Sequence, residues 1–89
     1  MLRITRQSEE SATVTLRLEG QIASDWVAVL EDEVMELLRC KKDIVLDFAG
    51  ITTVDSRGTA LLRKLTTGPV TIINCSALIR ESLLNGEAR

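Results

Sequence analysis

Strand-like and helix-like segments alternate along most of this chain, and that alternation restricts the fold more than any other feature of the sequence. Two segments with apolar residues at every second position come first, which predicts an antiparallel hairpin of half-buried strands. Three helix-like segments then alternate with two further strands, in the order ββαβαβα. Because strands joined through helices pair in parallel by right-handed crossovers, we expect an α/β fold with a mixed, mostly parallel four-stranded sheet packed with helices.

Glycines and polar stretches set the predicted ends of the strands. The predicted strands are residues 2–5, 14–19, 43–48 and 70–74. The polar stretch 7–11 is the expected turn of the hairpin, and Gly20 is expected to break the second strand. The dipeptide at residues 49–50 is expected to end the third strand.

Short polar residues precede each predicted helix and can cap it. The candidate starts are Ser24 or Asp25 for the first helix, Ser56 or Gly58 for the second, and Ser76 for the third. Gly68 and Pro69 are expected to end the second helix, because proline cannot continue it. An Asn-Gly pair at residues 85–86 is expected to stop the third.

The composition fits one folded domain that spans residues 1–89. Apolar residues make up 45% of the chain and charged residues 27%, as in globular proteins. The net charge of −2 and the two aromatic residues argue against a nucleic-acid partner, since that affinity needs basic residues and stacking platforms. No apolar run approaches the ~20 residues that cross a bilayer, and no signal peptide is visible. We therefore expect a cytoplasmic protein without direct membrane insertion.

The sequence lacks the residue patterns of common catalytic and metal sites. The chain has no histidine, so Ser-His-Asp and Cys-His sites cannot form. Its five glycines lack the Walker A and dinucleotide-binding spacings. The acidic cluster at residues 31–36 is expected to be a solvated helix face rather than a metal site. The sequence thus predicts no catalytic residue, no metal, no cofactor and no enzyme activity.

Three further features have both a functional and a structural interpretation. Ser56 and Lys64 could form a Ser-Lys pair, but Lys64 lies more than two turns along the same helix and is expected to point elsewhere. Cys40 and Cys75 are expected to be small packing residues rather than redox sensors. Trp26 is expected to pack rather than to form a ligand platform, although an exposed edge could serve an interface.

The segment between the third strand and the second helix is the best-placed candidate for a binding site. In open α/β sheets, ligands and partners usually meet the carboxyl ends of the strands, which residues 51–58 follow. Asp55 or Ser56 can accept hydrogen bonds from the free N–H groups of the helix, and Gly58 permits close approach of another backbone. Local chemistry leaves two interpretations open, a capped helix start and a binding site.

Several short motifs at this junction and around it occur in a fixed order. Gly-Gln-Ile at residues 20–22 precedes a helix, and a strand ending in Asp-Phe at 47–48 is followed by Asp-Ser-Arg-Gly at 55–58. The last helix starts with Ser-Ala-Leu-Ile-Arg at 76–80. Together with the chain length and element order, these motifs resemble the STAS domain, named from sulfate transporters and anti-sigma factor antagonists. The resemblance covers about residues 14–84.

The resemblance implies a bacterial signalling protein that regulates transcription through a protein partner. In antagonist proteins of this family the serine that matches Ser56 is phosphorylated by a serine kinase that is also an anti-sigma factor. The dephosphorylated form binds that partner. The residues implied to contact the partner are Asp55, Ser56, Arg57, Gly58 and Thr59. The family often has an acidic residue where this chain has Ala23. Asp25 is included in the set as the acidic residue that would substitute for it.

The resemblance also implies an alternative function. The chain could be a constitutive docking subunit of a larger assembly, such as a lipid-transport ATPase complex. The same junction would then contact a transporter component without phosphorylation of Ser56.

Overall fold

The computed structural model describes residues 1–10 and 12–85, and its elements follow the predicted order ββαβαβα. The strands are β1 (Leu2–Glu9), β2 (Thr13–Ile22), β3 (Asp43–Val54) and β4 (Val70–Ile73). The helices are α1 (Asp25–Arg39), α2 (Ser56–Leu65) and α3 (Ala77–Asn85). The strands form one sheet in the order β1-β2-β3-β4. Only β1 is antiparallel to its neighbour, so the predicted mixed, mostly parallel sheet is confirmed.

One face of the sheet forms the core. The register aligns Val14 with Ile44 and Leu16 with Leu46, so the apolar residues of β2 and β3 point to the same side. The helices add further buried side chains to this cluster: Leu30, Val34, Leu37, Leu61, Leu62, Leu65 and Ile79. The sheet and the helices are therefore two layers that share one core, and the opposite sheet face carries the alternate, more polar residues.

Both central strands continue past the glycines that the sequence predicts as strand ends, so those two predictions are wrong. Gly20 adopts a φ of 105°, and β2 continues beyond it with local shifts in its register against β3. β3 passes Gly50, because residues 50–54 pair with residues 19–22. The Thr52 hydroxyl also donates to the carbonyl oxygen of Gly20 at 3.0 Å. The extra length carries β3 directly to the start of α2.

The other strand ends differ from prediction by smaller amounts. β1 extends to Glu9 through most of the predicted turn, since residues 8–9 pair with residues 14–15. β4 ends before Asn74, which adopts a φ of 57° and donates from its amide to Asp47 Oδ1 at 3.1 Å. Residues 11 and 86 of the predicted turn and C-terminal stop lie outside the described residues.

The helix starts follow the capping predictions with one change. Asp55 caps α2 and accepts a hydrogen bond from the Gly58 N–H. Ser76 caps α3, and its Oγ accepts a hydrogen bond from the Ile79 N–H at 3.2 Å. Ser24 occupies the position before α1, but its side chain makes no capping hydrogen bond. Its backbone N–H instead donates a hydrogen bond to the carboxylate of Asp55.

Candidate functional site

The starts of α1 and α2 lie side by side at the carboxyl ends of the two central strands. β2 ends at Ile22 and leads into α1, while β3 ends at Val54 and leads into α2 through Asp55. The Asp55 N–H donates to the carbonyl oxygen of Ile22 at 3.1 Å, which ties the two strand ends together. The predicted junction therefore lies at the carboxyl ends of the strands, where open α/β sheets usually bind ligands and partners.

The Asp55 carboxylate joins the two helix starts. Its Oδ1 accepts a hydrogen bond from the Gly58 N–H at 2.8 Å, and its Oδ2 accepts one from the Ser24 N–H at 2.9 Å. The Ser24 hydrogen bond, helped by that of Gly58, holds the pKa of Asp55 below its usual value, although partial burial acts in the opposite direction. Asp55 therefore carries a fixed negative charge at neutral pH, and both of its oxygens have partners within the chain.

Gly58 is buried, and its missing side chain lets α2 pack closely on the strand ends. A Cβ at this position would lie 2.7 Å from the carbonyl oxygen of Ile22 and 2.9 Å from a methyl carbon of Val54. The backbone that approaches Gly58 thus belongs to β2 of the same chain. Gly58 therefore acts on the site through internal packing.

Three of the predicted site residues are open to solvent. Asp25, Ser56 and Arg57 are exposed, and Thr59 is half-buried, with its N–H donating to the backbone oxygen of Asp55 at 2.8 Å. The Ser56 hydroxyl makes no hydrogen bond, and Arg57 makes no ion pair, with any residue that the structure describes. The sequence motif thus separates into a supporting part, in which Asp55 is half-buried and Gly58 buried, and an exposed part.

Two exposed apolar side chains lie close to the junction. Leu78 is 77% exposed and lines a depression of about 120 Å³ with Thr53 and Val54. Trp26 is 36% exposed and lies in the first turn of α1, next to the Ser24 contact. Leu78 is exposed although the adjacent Ile79 is buried. The apolar pattern of the sequence alone does not show which of these two neighbouring residues is exposed.

The remaining candidates lie outside this site. Lys64 Nζ is 3.6 Å from Glu31 Oε2, an ion pair between α1 and α2, so Lys64 is turned away from Ser56 as predicted. Cys40 is exposed at the end of α1, so the packing prediction is wrong for it. Cys75 is half-buried against the core, and burial raises the pKa of its thiol. No group of three or more His, Cys, Asp or Glu side chains in the described ranges could hold a metal ion. None of the three described helices is a candidate membrane span.

Comparisons with known proteins agree with this architecture. Residues 5–83 match the family model described as "Mlab, STAS domain". A solved structure titled "Structure of the Anti-Sigma Factor Antagonist SpoIIAA in its Unphosphorylated Form" is similar over 98% of this chain and 90% of its own chain. The TM-score is 0.72 and the sequence identity 18%, a likeness that shows the fold alone. No curated protein matched the chain by sequence.

Proposed function

Because the chain belongs to the STAS domain family, we propose that it is a non-enzymatic, single-domain protein-binding module whose docking is controlled by phosphorylation of Ser56. The proposed partner is an anti-sigma factor that is also a serine kinase, in the bacterial cytoplasm. The proposed contact surface consists of Asp25, Ser56, Arg57 and Thr59, supported by Asp55 and Gly58.

The observation that carries this proposal is the free hydroxyl of Ser56. A serine at a helix start commonly caps the helix through its own side chain. Here Asp55 supplies the cap, and Ser56 is exposed without a hydrogen-bond partner among the described residues. The fold thus has no evident need for this hydroxyl, and a kinase or a partner protein can reach it.

A phosphate on Ser56 would change the charge of the surface sharply. Phosphorylation adds about −1.5 to −2 charges, next to the carboxylate of Asp55. The α2 N-terminus and the Arg57 guanidinium can stabilise the phosphate within the chain. A partner that fits the unmodified surface would meet repulsion and a desolvation cost. A loss of about 2 kcal/mol weakens binding roughly thirtyfold.

Intact mass spectrometry tests the modification directly. After incubation with a candidate anti-sigma factor kinase and ATP, the parent protein should gain one phosphate and Ser56→Ala should gain none. Ser24→Ala is the matched control, because Ser24 is also exposed beside a helix start and makes no capping hydrogen bond with its side chain. Equal phosphorylation of Ser56→Ala and the parent would refute the modification of this serine.

Binding measurements test the switch. The parent and Ser56→Ala should bind the kinase partner with similar affinity in isothermal titration calorimetry. Ser56→Asp should bind roughly tenfold or more weakly, since it places a second carboxylate beside Asp55. Undiminished binding of Ser56→Asp and of the phosphorylated protein would contradict partner switching, although the junction could still be the docking surface.

The exposed side chains of Leu78 and Trp26 support a second candidate function, permanent docking to a larger assembly such as a lipid-transport ATPase complex. Permanent interfaces are more apolar than transient ones, and tryptophan is enriched among residues that dominate binding energy. The two side chains flank the Asp55 junction and would enlarge it into such an interface.

Co-purification separates the two candidates. If the chain is a constitutive subunit, the Ser56→Asp variant should still co-purify with a transporter component. The Leu78→Ala variant should no longer co-purify with it. Met35→Ala is the control, because Met35 is an exposed apolar residue on α1. Loss of the complex in Ser56→Asp but not in Leu78→Ala would favour the phosphorylation switch.

A further inference from the structure

A cavity of about 400 Å³ opens between the second half of α2, β4 and α3. Leu62, Ile72 and Leu83 supply its apolar wall. The cavity lies near the far end of α2 from Ser56, since Arg63 on its rim is about 10 Å along the helix axis at 1.5 Å per residue. It is therefore a separate feature from the Asp55 junction.

Two arginines line the same cavity. Arg63 comes from α2 and Arg80 from α3, and neither forms an ion pair with a residue that the structure describes. The neighbouring Lys64, by contrast, pairs with Glu31 at 3.6 Å. A guanidinium offers several N–H donors in a planar fork that matches carboxylate and phosphate groups. The cavity thus combines an apolar wall with two guanidinium groups that pair with no carboxylate of the described residues.

We propose that this cavity binds a single-chain aliphatic anion. The hydrocarbon chain lies on the apolar wall, and the head group, a carboxylate or a phosphate, is held by Arg63 and Arg80. Each part of the ligand matches one part of the site, because the chain gains from leaving water and the head group from two cationic donors. The proposal does not depend on phosphorylation of Ser56.

The dimensions favour a small molecule over a protein segment. Cavities that bind small molecules are typically about 300–1,000 Å³ in volume, a range that includes this one. The seven described lining residues are far fewer than the roughly 20–30 residues per side of a stable protein interface.

Isothermal titration calorimetry with the full chain tests the proposal, using decanoate, decyl phosphate, decanol and inorganic phosphate below the micellar concentration of each amphiphile. Decanoate or decyl phosphate should bind, and whichever binds more tightly identifies the head group. Decanol and inorganic phosphate should each bind at least about tenfold more weakly, because each lacks one half of the ligand.

Arginine variants locate the site. Arg63→Gln and Arg80→Gln should each weaken binding about fivefold to tenfold, a modest effect because both groups are solvent-exposed. Arg57→Gln is the matched control, since Arg57 lies at the opposite end of the same helix and forms no ion pair with a described residue. Equal weakening by Arg57→Gln would place the anion at the Ser56 junction and would overturn the proposal.

The Cys75 thiol, which also lines the cavity, provides a second measurement. In a Cys40→Ser background, decanoate at about nine times its dissociation constant should slow alkylation of Cys75 about tenfold, because only a tenth of the protein remains unliganded. Absence of binding by both anionic amphiphiles overturns the proposal. So does a protein-concentration dependence of Cys75 alkylation without ligand, which would assign the cavity to contact with a second copy of the chain.

Discussion

The Asp55 carboxylate fixes the starts of α1 and α2 relative to each other, and we expect Asp55→Ala to destabilise the fold by about 2 kcal/mol. Loss of an N-cap side chain costs about 0.5–2 kcal/mol, and a hydrogen bond to a charged group contributes about 1.5–3 kcal/mol. Water can replace Asp55 at the exposed Ser24 N–H but not at Gly58, which is buried. The effect should therefore lie at the upper end of the capping range.

Urea unfolding followed by circular dichroism at pH 7 measures this loss. For a domain of this size the free energy of unfolding falls by about 1 kcal/mol per molar urea, so the midpoint should drop by about 2 M. Asp25→Ala is the control, because Asp25 is an exposed aspartate in the first turn of α1. It contributes through the helix dipole, about 0.3–1 kcal/mol.

Urea unfolding repeated at lower pH tests whether the charge of Asp55 causes the stabilisation. The pKa of Asp55 is lowered in the folded state, so its stabilisation is present above the unfolded pKa and is lost as the pH falls through the folded pKa. The difference in unfolding free energy between the parent and Asp55→Ala should therefore shrink below about pH 4. Two results would refute the role of Asp55 in joining the helix starts. One is a difference in unfolding free energy that stays constant from pH 7 to about pH 2, and the other is an equal loss of stability in Asp55→Ala and Asp25→Ala.

Three further predictions concern packing, protonation and thiol access. Gly58→Ala should cost up to about 2 kcal/mol in urea unfolding, because overpacking against backbone (~1–3 kcal/mol) outweighs the gain in helix propensity (~1 kcal/mol). Gly68→Ala, whose nearest neighbouring atom is 3.7 Å away, should be nearly neutral, and equal effects would contradict this account. Hydrogen bonds from a backbone N–H and an amide lower the pKa of Asp47 in the folded state, so part of the unfolding free energy is lost as this carboxylate is protonated. In Asp47→Asn the unfolding free energy should therefore decrease less between about pH 5 and pH 2. An unchanged pH slope would show that this carboxylate titrates normally. In single-cysteine variants at pH 8, Cys40 should react faster with a thiol reagent than Cys75, which is half-buried with a raised thiol pKa, and equal rates would argue against that burial.

The element order and core faces could be predicted because they depend on local patterns. Alternating apolar residues identify β2, and the Asp-Ser pair before an apolar stretch identifies the start of α2. Strand ends could be predicted less well, because they depend on pairing with neighbouring strands. Gly20 breaks a strand in isolation, but pairing with β3 on one side and β1 on the other keeps it in the sheet.

The site itself was only partly predictable, for a related reason. The motif at residues 55–58 indicates a capped helix start, but it does not show that the Asp55 carboxylate also binds the Ser24 N–H, 31 residues earlier in the sequence. That contact depends on how β2 and β3 end side by side. The exposure of Leu78 was not predictable either, since adjacent helical residues such as Leu61 and Leu62 can both be buried.

The separation of roles between Asp55 and Ser56 decides how the function of this junction can be tested. Because Asp55 holds two helix starts, any variant at that position alters the fold, and a loss of partner binding there has two explanations. The Ser56 hydroxyl makes no hydrogen bond to a described residue, so replacement of Ser56 should change the unfolding free energy by less than about 0.5 kcal/mol. An effect of Ser56 variants on partner binding can therefore be attributed to the surface itself, and variants of Asp55 then measure how far that surface depends on the alignment of α1 and α2.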